Sequence, residues 1–174
     1  MKILVNPKNL VPDETWQTFR KVRAILENEQ GCTAITVEGG KCIFPGGKCE
    51  KDENELTAIQ REIKEETGIL FDLTDFIEVL QLETIYDDFY DFRSQSIKPR
   101  HTITTYYYVK TDKNIEYEKI NLTDGEKKNL FQIRFVDRTH LNEMLMEDHS
   151  NQENGKFFDE ENQIVLSKVI NKNI

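Results

Sequence analysis

The stretch FPGGKCEKDENELTAIQREIKEETGIL, from Phe44 to Leu70, leaves the chain few choices of local structure. Pro45-Gly46-Gly47 breaks any regular element. Asp52 or Asn54 then offers a helix N-cap, with Glu55 three residues after Asp52 as a capping-box partner. Leu56, Ile59 and Ile63 recur at helical spacing as one apolar stripe, and Gly68 supplies the stop. The helix ends on Glu62, Glu65 and Glu66, which is the unfavourable end for carboxylates because the macrodipole is negative there. Glu62 also stands three and four residues from the other two, so like charges face one another. At about 100° per residue the three acids lie within roughly 100° of arc beside the apolar stripe, and they are expected to converge on one point.

Clustered carboxylates raise one another's pKa unless something positive sits among them. A hard divalent cation resolves the repulsion, and Mg²⁺ suits one or two carboxylates together with substrate phosphates. The run alone reads either as a solvated acidic face on a surface helix or as a helix that accepts a local penalty and gains a metal site.

The same stretch fits the pattern G-x5-E-x7-R-E-U-x-E-E-x-G-U, with U bulky and apolar, at Gly47, Glu53, Arg61, Glu62, Ile63, Glu65, Glu66, Gly68 and Ile69. In this it closely resembles the Nudix hydrolases. The resemblance implies one domain over residues 1–174, with an α/β/α sandwich of the α+β class and a mixed sheet between helices. It also implies Mg²⁺- or Mn²⁺-assisted hydrolysis of a nucleoside diphosphate linked to another moiety X. Glu62, Glu65 and Glu66 are then the metal ligands, helped by a backbone carbonyl from Gly46 or Gly47. Arg61 orients a glutamate, and Glu53 is an accessory ligand or a partner to one. Glu126, in LTDGEKKN, is the candidate for a base contributed by a later loop.

Arg23 and Arg100 are candidate contacts to substrate phosphate, Arg100 as part of a basic patch with Arg93, Lys98 and His101. The aromatic cluster Tyr86, Phe89, Tyr90 and Phe92 suggests a surface on which a nucleobase stacks.

The rest of the chain reads as strands with helices between and after them. FRKVRAILENEQG, CTAITVEGG, KCIF, FIEVLQLETIY, HTITTYYYVKT and FQIRFVD carry strand content. Helices are expected over about 139–147 and 158–172. DDFYDFRSQSIKPR and KNIEYEKINLTDGEKKN read as loops.

Composition excludes several alternatives. A net charge of −9 argues against duplex nucleic acid as the main partner. Three cysteines, without a C-x-x-C pair, form neither a disulfide framework nor a thiolate zinc site. No run approaches a membrane span and no leader-like apolar segment opens the chain, so a cytoplasmic protein is expected. Monomer and homodimer both stay open. Two other functions compete with hydrolysis. A catalytically silent nucleotide sensor of the same fold is disfavoured by the intact glutamate set, and an isoprenoid diphosphate isomerase by the sparse histidines.

Overall fold

The computed structural model describes residues 1–92, 94–149 and 152–172. Seven strands form one mixed sheet: β1 (Lys2–Val5), β2 (Thr18–Asn28), β3 (Thr33–Glu38), β4 (Lys41–Ile43), β5 (Ile77–Asp91), β6 (Ser96–Thr111) and β7 (Gln132–Val136). The order is β1-β5-β6-β2-β3-β4, with β7 also on β3. β1–β5 and β2–β6 are parallel and the other pairs antiparallel.

Strand alternation divides the core between the two faces of the sheet. Val22, Ala24 and Leu26 of β2 with Tyr107 and Val109 of β6 pack under helix α1 (Glu55–Thr67), against Ala58, Ile59 and Ile63. Their neighbours Ile25, Tyr106 and Tyr108 point the other way. There they meet Leu141 and Leu145 of α3 (Arg138–Leu145) and Val165 and Leu166 of α4 (Gly155–Lys168). The result is the expected helix, mixed sheet, helix layering. A fourth, short helix, α2 (Asp124–Lys128), precedes β7.

Several local expectations need correction. Most of the first expected loop is strand: β5 runs on to Asp91 and β6 begins at Ser96, and the two pair as a hairpin arm, with register shifts at Glu78/Leu80 and Tyr86/Phe89. The second expected loop contains a 3-10 turn at Tyr117–Lys119 and α2. MKILV, read only as lacking a leader, contributes edge strand β1. α4 begins at Gly155, three residues before the expected start, and ends at Lys168. The N-cap of α1 is Asn54, whose side chain accepts from Thr57 N at 2.9 Å. Asp52 has φ +63° and makes no capping box, and Glu55 instead accepts from Arg20 and Thr105, each at 2.9 Å. Leu56 is exposed, and the buried stripe of α1 is Ala58, Ile59, Glu62, Ile63 and Glu66. Among the described residues no helix is long and apolar enough to cross a membrane.

Candidate functional site

The glycine loop is laid along β2 by backbone hydrogen bonds. Ala24 N donates to Pro45 O at 2.8 Å, Val22 N to Gly47 O at 2.9 Å, and Cys49 N to Arg20 O at 3.0 Å. This zipper fixes the loop against the sheet, directly over the C-terminal half of α1. Gly47 must lack a side chain because the Glu62 carboxylate occupies the space a Cβ would take. Gly46, at φ +131°, sits so close to Val22 O that a Cβ would overlap the backbone. Loop and glutamates are therefore packed as one unit.

At its far end α1 is closed by Gly68, at φ +75°, whose N–H donates to Lys64 O at 3.0 Å. Residues 116–121 satisfy further terminal carbonyls: Glu116 N donates to Thr67 O and Asn121 N to Glu65 O, both at 2.8 Å. These donors offset part of the electrostatic disadvantage of acids at a helix C-terminus.

The carboxylates differ in setting. Glu66, 4% exposed, accepts from Gly46 N at 2.8 Å and, among the described residues, from no side chain. Burial pushes its pKa well above the usual carboxylate value; Arg23 and the Gly46 N–H oppose the rise, while Glu62 and Glu126 add to it. Glu62, 8% exposed, is also raised by burial, against the pull of Arg61. Glu65 stands further out, its side chain 36% exposed.

Arg61 ties the acids together. It grips Glu53 through two hydrogen bonds of 3.0 Å and reaches Glu62 at 2.9 Å and Glu65 at 3.2 Å. The paired guanidinium holds the Glu53 carboxyl below its usual range, and the acids in turn raise the pKa of Arg61. In consequence the expected convergence is incomplete: among the described residues no three His, Cys, Asp or Glu side chains close on one point. Arg61 stands between Glu62, Glu65 and Glu53, and Glu66 faces the loop.

The other candidates are distributed around this centre. Gly47 O already accepts from Val22 N, and Gly46 O from Arg23 Nη1. Arg23 also donates to Phe44 O at 3.0 Å, so its Nη1 clamps the loop while its charge bears on Glu66 and Glu62. Glu126 is tied into the capping box of α2, accepting from Thr123 N at 2.6 Å and Thr123 Oγ1 at 2.8 Å. Arg100 lies on the hairpin arm with its guanidinium carbon 4.1 Å from the ring centroids of both Phe19 and Phe89. Arg93 lies outside the described residues. Of the aromatic cluster, Tyr86 belongs to the core: it packs on Phe157 at 4.2 Å and donates to Glu160 at 2.6 Å.

A cavity of about 780 Å³ opens beside Arg61 and Glu62, with Arg20, Lys48 and Gln17 in its wall. Sequence reasoning missed Lys21 and Lys48 as flanking cations. The signal was present in β2, where alternation sets Lys21 opposite the Val22-Ala24 core face, on the same side as Arg23.

The NUDIX domain family matches residues 18–160. Over 76 residues the chain is 40% identical to the mRNA-decapping enzyme subunit 2 of Saccharomyces cerevisiae (strain YJM789), a match covering 38% of this chain and 8% of that protein. The same figures hold for the m7GpppN-mRNA hydrolase of Saccharomyces cerevisiae (strain ATCC 204508 / S288c). The match thus spans a small fraction of both yeast proteins. Among solved structures, MutT studied from Aliivibrio salmonicida and Vibrio cholerae is similar at 20% identity and TM-score 0.50, covering 83% of this chain and 99% of that one. A bifunctional NMN adenylyltransferase/ADP ribose pyrophosphatase from Francisella tularensis, complexed with AMP and an Mn ion, is similar at 16% identity and TM-score 0.53. It covers 92% of this chain and 43% of that one. These structural likenesses show a shared fold.

Proposed function

Because the chain belongs to the Nudix hydrolase family, we propose that it is a metal-dependent pyrophosphohydrolase, cleaving a nucleoside diphosphate linked to another moiety X by water attack on phosphorus. The observation that carries this reading is Glu66. It is a buried carboxylate beside Glu62, with a single backbone donor and, among the described residues, no bonded cation, and Glu62 itself lines a cavity large enough for a substrate. An ionised pair in that setting calls for a cation.

The donor set fits a hard divalent ion, since Glu62, Glu65 and Glu66 offer oxygen alone. These three residues would hold Mg²⁺ or Mn²⁺, with the Gly46 or Gly47 carbonyl available through a second lone pair. When bound, the ion supplies charge neutralisation at the diphosphate and polarisation of the attacking water. Arg61 would keep its paired contacts to Glu53 while releasing Glu62 and Glu65, which makes it the positioning residue of the set. Glu53, held ionised by Arg61, anchors that guanidinium and is a poor proton acceptor. Glu65, the most exposed of Glu62, Glu65 and Glu66, is best placed to take a proton from a water arriving from solution. Glu126 could serve as base only by leaving its capping box. Arg23 holds the loop in register through the Phe44 and Gly46 carbonyls. A small nucleotide-type substrate and a cytoplasmic setting accompany this reading.

The test is turnover of a panel comprising nucleoside triphosphates, ADP-ribose, nucleotide sugars, dinucleoside polyphosphates and m7GpppN-capped RNA, with Mg²⁺, Mn²⁺ or chelator. Glu65→Gln and Glu66→Gln are expected to lower kcat by at least about tenfold with the fold intact, because each removes a ligand charge at little change of shape. Wild-type turnover in chelator, or near-normal rates in both variants at saturating Mg²⁺, would refute the assignment. Binding without turnover would favour the sensor.

A further inference from the structure

A second cavity of about 680 Å³ adjoins the first, and Gln17 and Lys48 line both. Its walls come from the segment before β2, from β2 itself and from the hairpin arm of β5 and β6. It lies within the size range of small-molecule sites.

Its charges are unusual for so acidic a chain. Lys21, Lys48 and Arg100 all line it, and among the described residues none of the three makes an ion pair within 4.0 Å. Arg100 is fixed between the rings of Phe19 and Phe89, and among the described residues its one hydrogen bond runs from Nε to Thr102 Oγ1 at 3.3 Å. Its two terminal nitrogens keep their donors for something else. Lys48 Nζ lies 4.9 Å from the Phe19 ring centroid. The carboxylates that bear on them are Asp91, which lines the cavity, acts on Arg100 and accepts from Lys98 at 3.0 Å, and Glu161, which acts on Lys21 and Arg100. Three cations around one hollow, Lys48 and Arg100 set against aromatic rings and none of the three paired with a carboxylate among the described residues, make an anion site.

The aromatic residues divide by task. Phe19 and Phe89 are engaged with cations, and Phe89 also stacks on Phe157 at 5.5 Å. Trp16, Tyr90 and Phe92 line the same cavity without that engagement, and Phe92 is 61% exposed. Tyr90 is held in place through its backbone, which exchanges two 2.9 Å hydrogen bonds with the side chain of Asn154. The platform is thus formed before any ligand arrives.

We propose that this second cavity binds the nucleotide half of the substrate, with phosphate on Lys21, Lys48 and Arg100 and the base against Trp16, Tyr90 and Phe92. The inference rests on the hydrolase reading only for the word substrate. It makes the hairpin arm the element that selects a nucleotide, and it leaves the anhydride and the group X over the glutamates.

Trp16 is the single tryptophan of the chain and reports on the cavity directly. Its fluorescence is followed in the full chain, in chelator, during titration with AMP, GMP and ribose 5-phosphate. Both nucleotides are expected to quench saturably. Ribose 5-phosphate is expected to compete with them while quenching little, because it carries the phosphate without the base. Arg100→Met and Phe92→Ala should each weaken AMP binding about tenfold, by loss of a charge-assisted contact and of a stacking surface. Phe92→Ala alters an exposed side chain, and circular dichroism verifies the fold of both variants. Glu66→Gln should leave the quench unchanged, which separates this inference from the hydrolytic one. Failure of all turnover with the quench intact leaves the site standing. No quench by either nucleotide at millimolar concentration, equal quench by ribose 5-phosphate, or wild-type affinity in both cavity variants would overturn it.

Discussion

Gly46 and Gly47 are adjacent yet needed for different reasons, and the difference is measurable. A methyl group at Gly47 would meet the far end of a side chain, Glu62, whereas one at Gly46 would meet the Val22 backbone at a positive φ. Gly47→Ala should therefore displace Glu62 and lower kcat by about tenfold or more at modest loss of stability. Gly46→Ala should instead destabilise the fold by roughly 1–3 kcal/mol or more, from strain and overlap. Thermal melts beside initial rates distinguish the two outcomes. The reverse pattern would mean that the loop is placed differently relative to α1.

Lys21 gives a pH prediction whose sign is fixed. Burial pushes its pKa from 10.5 down to about 8, opposed by Glu161 on α4 and reinforced by Arg23 and Arg100. Between those values the unfolded chain binds more protons than the native one, so stability attributable to this residue rises with pH across the window. Below about pH 8 the full penalty is present. Lys21→Met should accordingly raise the melting temperature by a few degrees at pH 7, a gain that shrinks toward pH 10. A gain that grows with pH would contradict the assigned environment.

At the scale of elements, α1 shows how far sequence carried. The stop at Gly68 and the acids beside the apolar stripe were legible because each depends on local spacing. The cap was ambiguous between Asp52 and Asn54, and backbone conformation decided it: Asp52 takes φ +63°, leaving Asn54 to accept from Thr57 N. Asn54→Ala should cost about 1 kcal/mol and lower the melting temperature by roughly 2–4 °C in a chain of this size. Asp52→Ala should reveal no comparable loss of a cap. Exposed Leu56 illustrates the limit of periodicity, because Ala58 and the aliphatic parts of Glu62 and Glu66 fill that face instead.

The hairpin arm was illegible for a physical reason. Residues 87–100 mix charge, Ser and Pro99, lack clean alternation, and follow a register shift between Tyr86 and Phe89. Their strand form is specified from outside, by Asn154 clasping the Tyr90 backbone and Phe157 packing on Phe89. Long-range partners of that kind leave no local trace. The cavity built on the arm, with Trp16, Phe19 and Lys21, was hidden by the same cause, although Arg100 and the aromatic cluster pointed toward it.

Across the whole molecule, two apolar layers share one sheet, and α1 belongs to both the core and the site. Ile59 and Ile63, fully buried, hold α1 down while Glu62 and Glu66 stand on the same face one step along. Ile63→Ala should cost roughly 2–5 kcal/mol, and any loss of activity should then follow loss of fold. Layering of this kind was expected from the family resemblance and from strands with helices between and after them. What alternation could not supply was Arg61 between the acids, since three hydrogen-bonded partners depend on rotamers and on a loop crossing above the helix.

Glu62, Glu65 and Glu66 are proposed to hold a divalent cation. Calorimetric titration of Mg²⁺ into the full chain at neutral pH, with and without a nucleoside diphosphate, tests it most directly. Saturable uptake is expected for the wild type, weakened at least about tenfold in Glu66→Gln, whose side chain keeps its shape and loses its charge. No uptake by the wild type under either condition, or equal uptake by the variant, would contradict it.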